Sequence, residues 1–153
     1  LKKNNYNIKL SSLEKSICHT KWPGRIEKIK YKNKILIFDG SHNLSGAEKL
    51  NQYLKDNNIQ PNIIFGMLNN KKAFEFLSII KKNVEVLYPI QIPDEKNAFT
   101  QKEIYKVSKK LKFKTIIINN LNTINRQLMK SSNKYILITG SLYLIGKIRK
   151  KYL

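Results

Sequence analysis

Residues 35–54 read ILIFDGSHNLSGAEKLNQYL. Ile35, Leu36, Ile37 and Phe38 form a compact apolar run that ends at Asp39-Gly40, which predicts a strand buried on both faces. Leu44, Ala47, Leu50 and Leu54 follow at spacings of 3, 3 and 4, one face of a helix, with Ser45 and Glu48 at the spacing of a capping box. A strand, a short polar turn and a helix make the repeating unit of parallel sheets.

The alternation continues on the C-terminal side. Ile63-Ile64-Phe65 predicts a second strand running into Gly66, and Phe74, Leu77 and Ile80 mark a second helix. Val84 to Tyr88 reads as a third strand. Thr100 and Glu103 cap a third helix carrying Ile104, Val107 and Leu111. Thr115 to Ile118 is expected as a fourth strand, Leu121 to Met129 as a helix, and Tyr135 to Thr139 as a fifth strand, from which Gly140-Ser141 leads into a last helix with a basic end. The strands are apolar throughout rather than at every second residue, so both faces of the sheet are covered. The expected fold is an α/β three-layer sandwich of Rossmann-like type, mostly parallel with helices on both faces. On the N-terminal side, Ile26 to Tyr31 and a Lys32-Asn33 turn add an antiparallel edge hairpin.

Further out, Trp22-Pro23-Gly24-Arg25 breaks the chain. Ser11 and Glu14 stand at capping-box spacing, predicting a short helix from about Ser12 to His19. Residues 1–20 are therefore expected to be a linker and short helix from an upstream domain, and 21–153 one domain. The first residue is Leu1, which suits a piece of a longer protein. A length of 153 residues suits one hydrophobic core.

The formal net charge is +20. Such a charge suggests nucleic acid or an anionic membrane surface. The makeup of that charge argues otherwise: 27 of the 30 basic residues are Lys, and Lys, Asn and Ile, which share AT-rich codons, fill 67 of the 153 positions. Base composition raises Lys in this way without any polyanion. Nucleic-acid sites favour Arg for its planar fork, and three Arg residues are a poor supply. Phe38, Phe65 and Phe74 fall in apolar runs and are expected in the core rather than on a base-stacking face. The single cysteine, Cys18, excludes an internal disulfide and a cysteine metal cluster, and fits a reducing, cytoplasmic setting. No apolar run approaches the ~20 residues of a membrane span.

In open parallel sheets, ligands bind beyond the carboxyl ends of the strands. Those ends read Asp39-Gly40-Ser41-His42-Asn43, Gly66-Met67-Leu68-Asn69-Asn70-Lys71 and Thr139-Gly140-Ser141. Asp39 can accept from ribose hydroxyls or hold a cation, and His42 can bind a carboxylate or an amine, histidine being the side-chain type suited to gain or lose a proton under physiological conditions. A helix N-terminus beside them suits an anion. Equally, Asp39 and Asn43 can simply cap the helix, with His42 on the surface. Pro23 and Gly24 can aim Arg25 rigidly at a polyphosphate; alternatively, the turn can serve to place Trp22 in the core. Neither a G-x-x-x-x-G-K-[ST] loop nor a G-x-G-x-x-G motif occurs, so these residues alone do not make a complete nucleotide-using enzyme.

Trp22-Pro23-Gly24-Arg25, the strand into Asp39-Gly40-Ser41-His42-Asn43, Gly66 with Lys71, and Gly140-Ser141-Leu142-Tyr143-Leu144-Ile145-Gly146, in that order, resemble the C-terminal domain of folylpolyglutamate synthase/dihydrofolate synthase in the Mur ligase superfamily. The resemblance runs from about Ser11 to Lys147. It implies an upstream ATPase domain with a phosphate-binding loop and Mg²⁺. There ATP activates a carboxylate of dihydropteroate or of a reduced-folate glutamate tail as an acyl phosphate, which the amino group of L-glutamate attacks. It also implies that Arg25 contacts the nucleotide phosphates and Asp39 the nucleoside side of ATP. His42 would be catalytic, lying near the incoming glutamate with Ser141 close by, while Asn43 shapes the turn and Lys71 keeps a basic position. Two departures stand out: Asn70-Lys71-Lys72 replaces the usual Asp-Lys-Asp, and Ser41 and Leu44 replace Ala and Pro. The rival readings are another Mur-type amide ligase acting on a cell-wall precursor and a basic nucleic-acid-binding α/β domain. His42 and Asp39 are both expected on a rim rather than in a core, so in the full-length protein His42→Ala and Asp39→Ala are expected to cut ligation steeply and to spare the fold.

Overall fold

The structure, a computed structural model, describes residues 10–12, 22–118 and 121–152. Residues 10–12 are helical; the rest of the expected Ser12–His19 helix, with Cys18 and His19, lies outside the described residues. The elements are β1 (Glu27–Tyr31), β2 (Lys34–Asp39), α1 (Leu44–Asp56), β3 (Asn62–Phe65), α2 (Ala73–Ile80), β4 (Leu87–Pro89), α3 (Gln101–Lys110), α4 (Leu121–Lys130), β5 (Tyr135–Thr139) and α5 (Leu142–Arg149).

The strand order is β1-β2-β5-β3-β4. β2, β5, β3 and β4 are parallel, and β1 pairs antiparallel with β2, Tyr31 facing Lys34 across the expected turn. Thr139 stands level with Asp39 on one side and Phe65 on the other. The carboxyl ends of β2, β5 and β3 thus form one rim, as expected from their sequences.

Each face of the sheet has its own core. Leu36, Phe38, Ile64, Ile136 and Ile138 meet Ile124 and Leu128 of α4 and Leu144, Ile145 and Ile148 of α5. Ile37, Ile63, Phe65 and Leu137 meet α1 (Ala47, Leu50, Leu54), α2 (Phe76, Leu77, Ile80) and Ile104 of α3. Successive strand residues feed opposite cores, which is why the strands read as unbroken apolar runs. Burying each such side chain contributes about 1.5–3 kcal/mol before chain entropy is set against it. The three-layer sandwich is therefore the observed fold.

Several local expectations are corrected. Thr115 to Ile118 does not form a strand; it makes a single parallel bridge, Thr115 to Leu87, with Leu87 N–H donating to Lys114 O and Ile116 N–H to Leu87 O. The next rung of that ladder would need an N–H from Pro89, which has none. The third strand begins at Leu87, not Val84, because residues 81–83 close as a 3₁₀ turn after α2. α1 is capped by Asn43, whose Oδ1 accepts from Gly46 N at 2.8 Å, rather than by the Ser45–Glu48 pair. The Thr100–Glu103 capping box is present as expected. Phe74 is 45% exposed, because Ala73, Phe76, Leu77 and Ile80 supply the buried face of α2. Phe38 and Phe65 are fully buried.

Candidate functional site at the carboxyl rim

β2 delivers Asp39 to the rim with its side chain 3% exposed. Its carboxylate is engaged on both oxygens: Oδ1 accepts from Ser41 N at 3.0 Å and Oδ2 from Ile26 N at 3.1 Å. The first bond closes the turn into α1. The second reaches back to the segment before β1 and ties residues 22–26 to the rim. Gly40 N adds a bond to Gly24 O at 2.7 Å. The premise that Asp39 stands on the rim clear of the core is corrected: the carboxylate is buried and is a structural acceptor as well as a rim group, so Asp39→Ala is expected to disturb the fold.

The 22–26 turn needs these bonds. Gly24 (φ 73°) and Ile26 (φ 48°) both lie in the left-handed region, and the latter is costly for a β-branched residue. Trp22 is 73% exposed, so the turn does not exist to bury it. What it presents is Arg25, exposed and with no ion-pair partner among the described residues. Its guanidinium lies over Gly40, where a Cβ would stand 3.3 Å from Arg25 Nη1 and 2.2 Å from Leu142 Cδ2. The absence of a side chain at Gly40 lets Arg25 and Leu142 close over the backbone.

His42 follows on the same turn, half-buried, with Nδ1 2.9 Å from Gly40 O. A carbonyl only accepts, so Nδ1 carries the hydrogen and, in the neutral ring, Nε2 keeps its lone pair. Asn43 is exposed and caps α1, which leaves it the turn-shaping role expected of it. Across the rim, Ser141 is buried, and its Oγ caps α5 by accepting from Tyr143 N at 3.1 Å. Lys71 is half-buried at the turn after β3.

These residues meet in two adjoining concavities. Arg25, Asp39, His42 and Asn43 line one of about 380 Å³. His42, Lys71 and Ser141 line a smaller one of about 180 Å³ with Leu68, Leu142 and Tyr143. His42 is the wall they share. All six residues singled out in the sequence are thus on the site, divided between two compartments by the imidazole. Lys49, in the larger concavity, escaped sequence reasoning; its signal was the spacing of three from Asn43 to Gly46 to Lys49 along one face of α1. Leu142 and Tyr143, 46% and 60% exposed, give the smaller compartment an apolar lip that the sequence did not announce.

The electrostatics favour anions. Arg25, Lys49 and Lys71 lie around the concavities with no ion pair among the described residues. The carboxylate there, Asp39, is already engaged by two N–H groups. No group of three His, Cys, Asp or Glu side chains converges among the described residues. Nor is any helix among them long and apolar enough to cross a membrane.

The sequence model of the family described as dihydrofolate synthetase, C-terminal domain, matches residues 24–151. A dihydrofolate synthase/folylpolyglutamate synthase of Bacillus subtilis (strain 168) is 30% identical over 155 residues, covering 98% of this chain and 35% of its own length. Among solved structures, E. coli FolC in complex with DHPP and ADP superposes with a TM-score of 0.80 at 18% identity, over 98% of this chain and 36% of that one. The bifunctional folylpolyglutamate synthase/dihydrofolate synthase with Mn, AMPPNP and L-glutamate bound superposes with a TM-score of 0.76 at 18% identity, over 97% and 36%. At that identity the structures speak for the fold. The chain spans about a third of the length of the curated relatives it matches. With the family match running from the Arg25 turn through α5, the chain belongs to the dihydrofolate synthetase C-terminal domain family.

Proposed function

We propose that residues 21–153 are the C-terminal domain of an ATP-dependent ligase that adds L-glutamate to dihydropteroate, to the glutamate tail of reduced folates, or to both, through an acyl phosphate. Residues 1–20 then lead from an upstream ATPase domain of the same protein. The observation that carries this reading is the pair of anion-favouring concavities separated by His42. One suits a phosphate chain and the other a dicarboxylic amino acid.

In this reading Arg25 takes the nucleotide phosphates. Asp39 has acceptor capacity left for nucleoside hydroxyls, since a carboxylate offers about four lone-pair positions and two are used. His42 presents Nε2 toward the incoming amine, and Ser141 and Lys71 hold glutamate. Asn43 keeps the turn in shape. No carboxylate cluster surrounds Asp39 among the described residues, so the rim residues do not fit a Mg²⁺ site, and we assign Mg²⁺ to the upstream domain. Holding an acyl phosphate and an amine together in the right orientation is worth roughly 7–11 kcal/mol. The apolar lip of Leu142 and Tyr143 favours excluding the water that would hydrolyse that intermediate. The folate names of the relatives support this branch over a cell-wall ligase. The burial of Phe38 and Phe65 supports it over a nucleic-acid module, and the lone cysteine favours the cytoplasm.

The test is labelled-glutamate incorporation by the full-length protein with ATP and Mg²⁺, with dihydropteroate and tetrahydrofolate in separate reactions. Label in either product is expected. No label in either, from folded protein, overturns the proposal.

A further inference from the structure

We propose that Glu27 is a positioning residue for Arg25: its carboxylate, backed by Arg149, fixes the 22–26 turn that aims the guanidinium over Gly40. Glu27 opens β1, and Arg149 closes α5. Arg149 donates to Glu27 Oε1 and Oε2 from Nε at 3.1 and 2.9 Å and to Oε1 from Nη2 at 2.8 Å. From the other side, Gly24 N donates to Glu27 Oε2 at 3.0 Å. The pair is only 20% and 28% exposed on its two side chains, so it is partly shielded from screening.

Arg25 is thereby bracketed. Its predecessor gives a backbone N–H to one carboxylate, Gly24 to Glu27, and its successor gives one to another, Ile26 to Asp39. Both neighbours hold positive φ, which glycine adopts freely at Gly24 but which at the β-branched Ile26 persists only when surrounding groups impose it. The guanidinium itself is exposed and unpaired among the described residues, so its direction comes from the backbone beneath it. The same carboxylate links that turn to α5, whose first turn lines the smaller compartment, so the two concavities share one mechanical anchor. A pre-aimed arginine loses less freedom on binding an anion.

The inference rests on the reading that Arg25 binds a phosphate chain, and the experiment separates the two. It uses ¹⁵N-resolved hydrogen exchange on the chain, and titration with inorganic tripolyphosphate at physiological salt read at the Gly24, Gly40 and Ser41 amides. The decisive variant is the charge swap Glu27→Arg with Arg149→Glu, which keeps an ion pair between β1 and α5 but leaves Gly24 N without its acceptor. Near-unchanged melting is expected, with Gly24 exchange at least about tenfold faster and tripolyphosphate bound about three- to tenfold more weakly. Glu27→Gln, which keeps an oxygen for Gly24, should retain most of the protection. A swap variant with Gly24 protection and affinity both intact overturns the inference. If tripolyphosphate moves none of these amides in the unmodified chain, the phosphate reading of Arg25 falls, while Gly24 exchange still decides whether Glu27 holds the turn. Should the swap not fold, Glu27→Gln against Glu27→Met decides by the same exchange measurement, equal protection in the two overturning the inference.

Discussion

Replacing Asp39 with alanine tests the site and the fold together. The carboxylate accepts two backbone N–H bonds, from Ile26 at 3.1 Å and Ser41 at 3.0 Å, on a residue 3% exposed. Hydrogen bonds to a charged group contribute about 1.5–3 kcal/mol each, so losing both costs about 3–6 kcal/mol. That is a large share of the roughly 5–15 kcal/mol by which a domain is stable. For a chain of this size each kcal/mol moves the melting temperature by about 2–4 °C. The Asp39→Ala chain should therefore melt about 6–24 °C lower, or fail to fold at the upper end of the range. Asp39→Asn retains one acceptor oxygen and should lose about half as much. Urea and thermal denaturation followed by circular dichroism measure both. An Asp39→Ala variant within ~0.5 kcal/mol of the parent, the range of an ordinary surface change, would refute the assignment of the carboxylate as the clamp on the 22–26 turn.

Three further outcomes are expected. Glu27 has its carboxyl held below the usual 4.5, chiefly by its hydrogen bonds to Arg149. A lowered folded-state pKa means the contribution is full above the unfolded value and is lost as pH falls through the folded one. The stability gap between the parent and Glu27→Gln should thus be present near about pH 7 and shrink toward about pH 2; an unchanged gap in denaturation at the two pH values refutes it. His42 should show the Nδ1–H tautomer by ¹⁵N chemical shifts, and His42→Ala should cost only about 0.5–1.5 kcal/mol of stability while abolishing glutamate ligation in the full-length enzyme; an Nε2–H tautomer or near-normal turnover contradicts the site. Gly40→Ala should cost about 1–3 kcal/mol, because the new Cβ would meet Leu142 Cδ2 at 2.2 Å, and adding Leu142→Ala should recover part of that cost in a double-mutant cycle.

The architecture was legible because each strand run is apolar on both faces and each helix carries its own face. Ile35–Phe38, Ile63–Phe65 and Tyr135–Thr139 all fall within observed strands. Misreadings arose where a local signal had two physical meanings. Ser45 and Glu48 have capping-box spacing, but Asn43 caps, because the turn from Asp39 places it one step outside the helix. Thr115–Ile118 has strand chemistry, but its partner β4 ends in a proline that cannot continue the ladder. Phe74 is apolar in an apolar run, yet α2 turns it outward. At the site, the strand end at Asp39 and the Trp22-Pro23-Gly24-Arg25 turn pointed to Arg25, Asp39, His42 and Asn43, the family resemblance added roles for Lys71 and Ser141, and all six line the two concavities. What these signals could not give is the bonding of Asp39 to Ile26, which joins residues 13 apart and depends on the antiparallel register of β1. The division of the rim by His42 likewise depends on where α5 docks.

The strand order has a consequence for how the chain acquires its structure. β5 lies between β2 and β3, yet it is the last strand in the chain. Ile35 pairs with Tyr135 and Ile63 with Leu137, so the centre of the sheet joins residues 100 and 74 positions apart. During synthesis β2 and β3 emerge with a vacant slot between them, and the open edges wait for β5 to arrive. Closing such long loops before any reward is slow. The rate-limiting event in folding should be insertion of β5, and a ribosome-bound chain ending before Tyr135 should expose both inner edges to chaperones or to other chains. The Thr139-Gly140-Ser141 turn would then be the last part of the rim to be set in place.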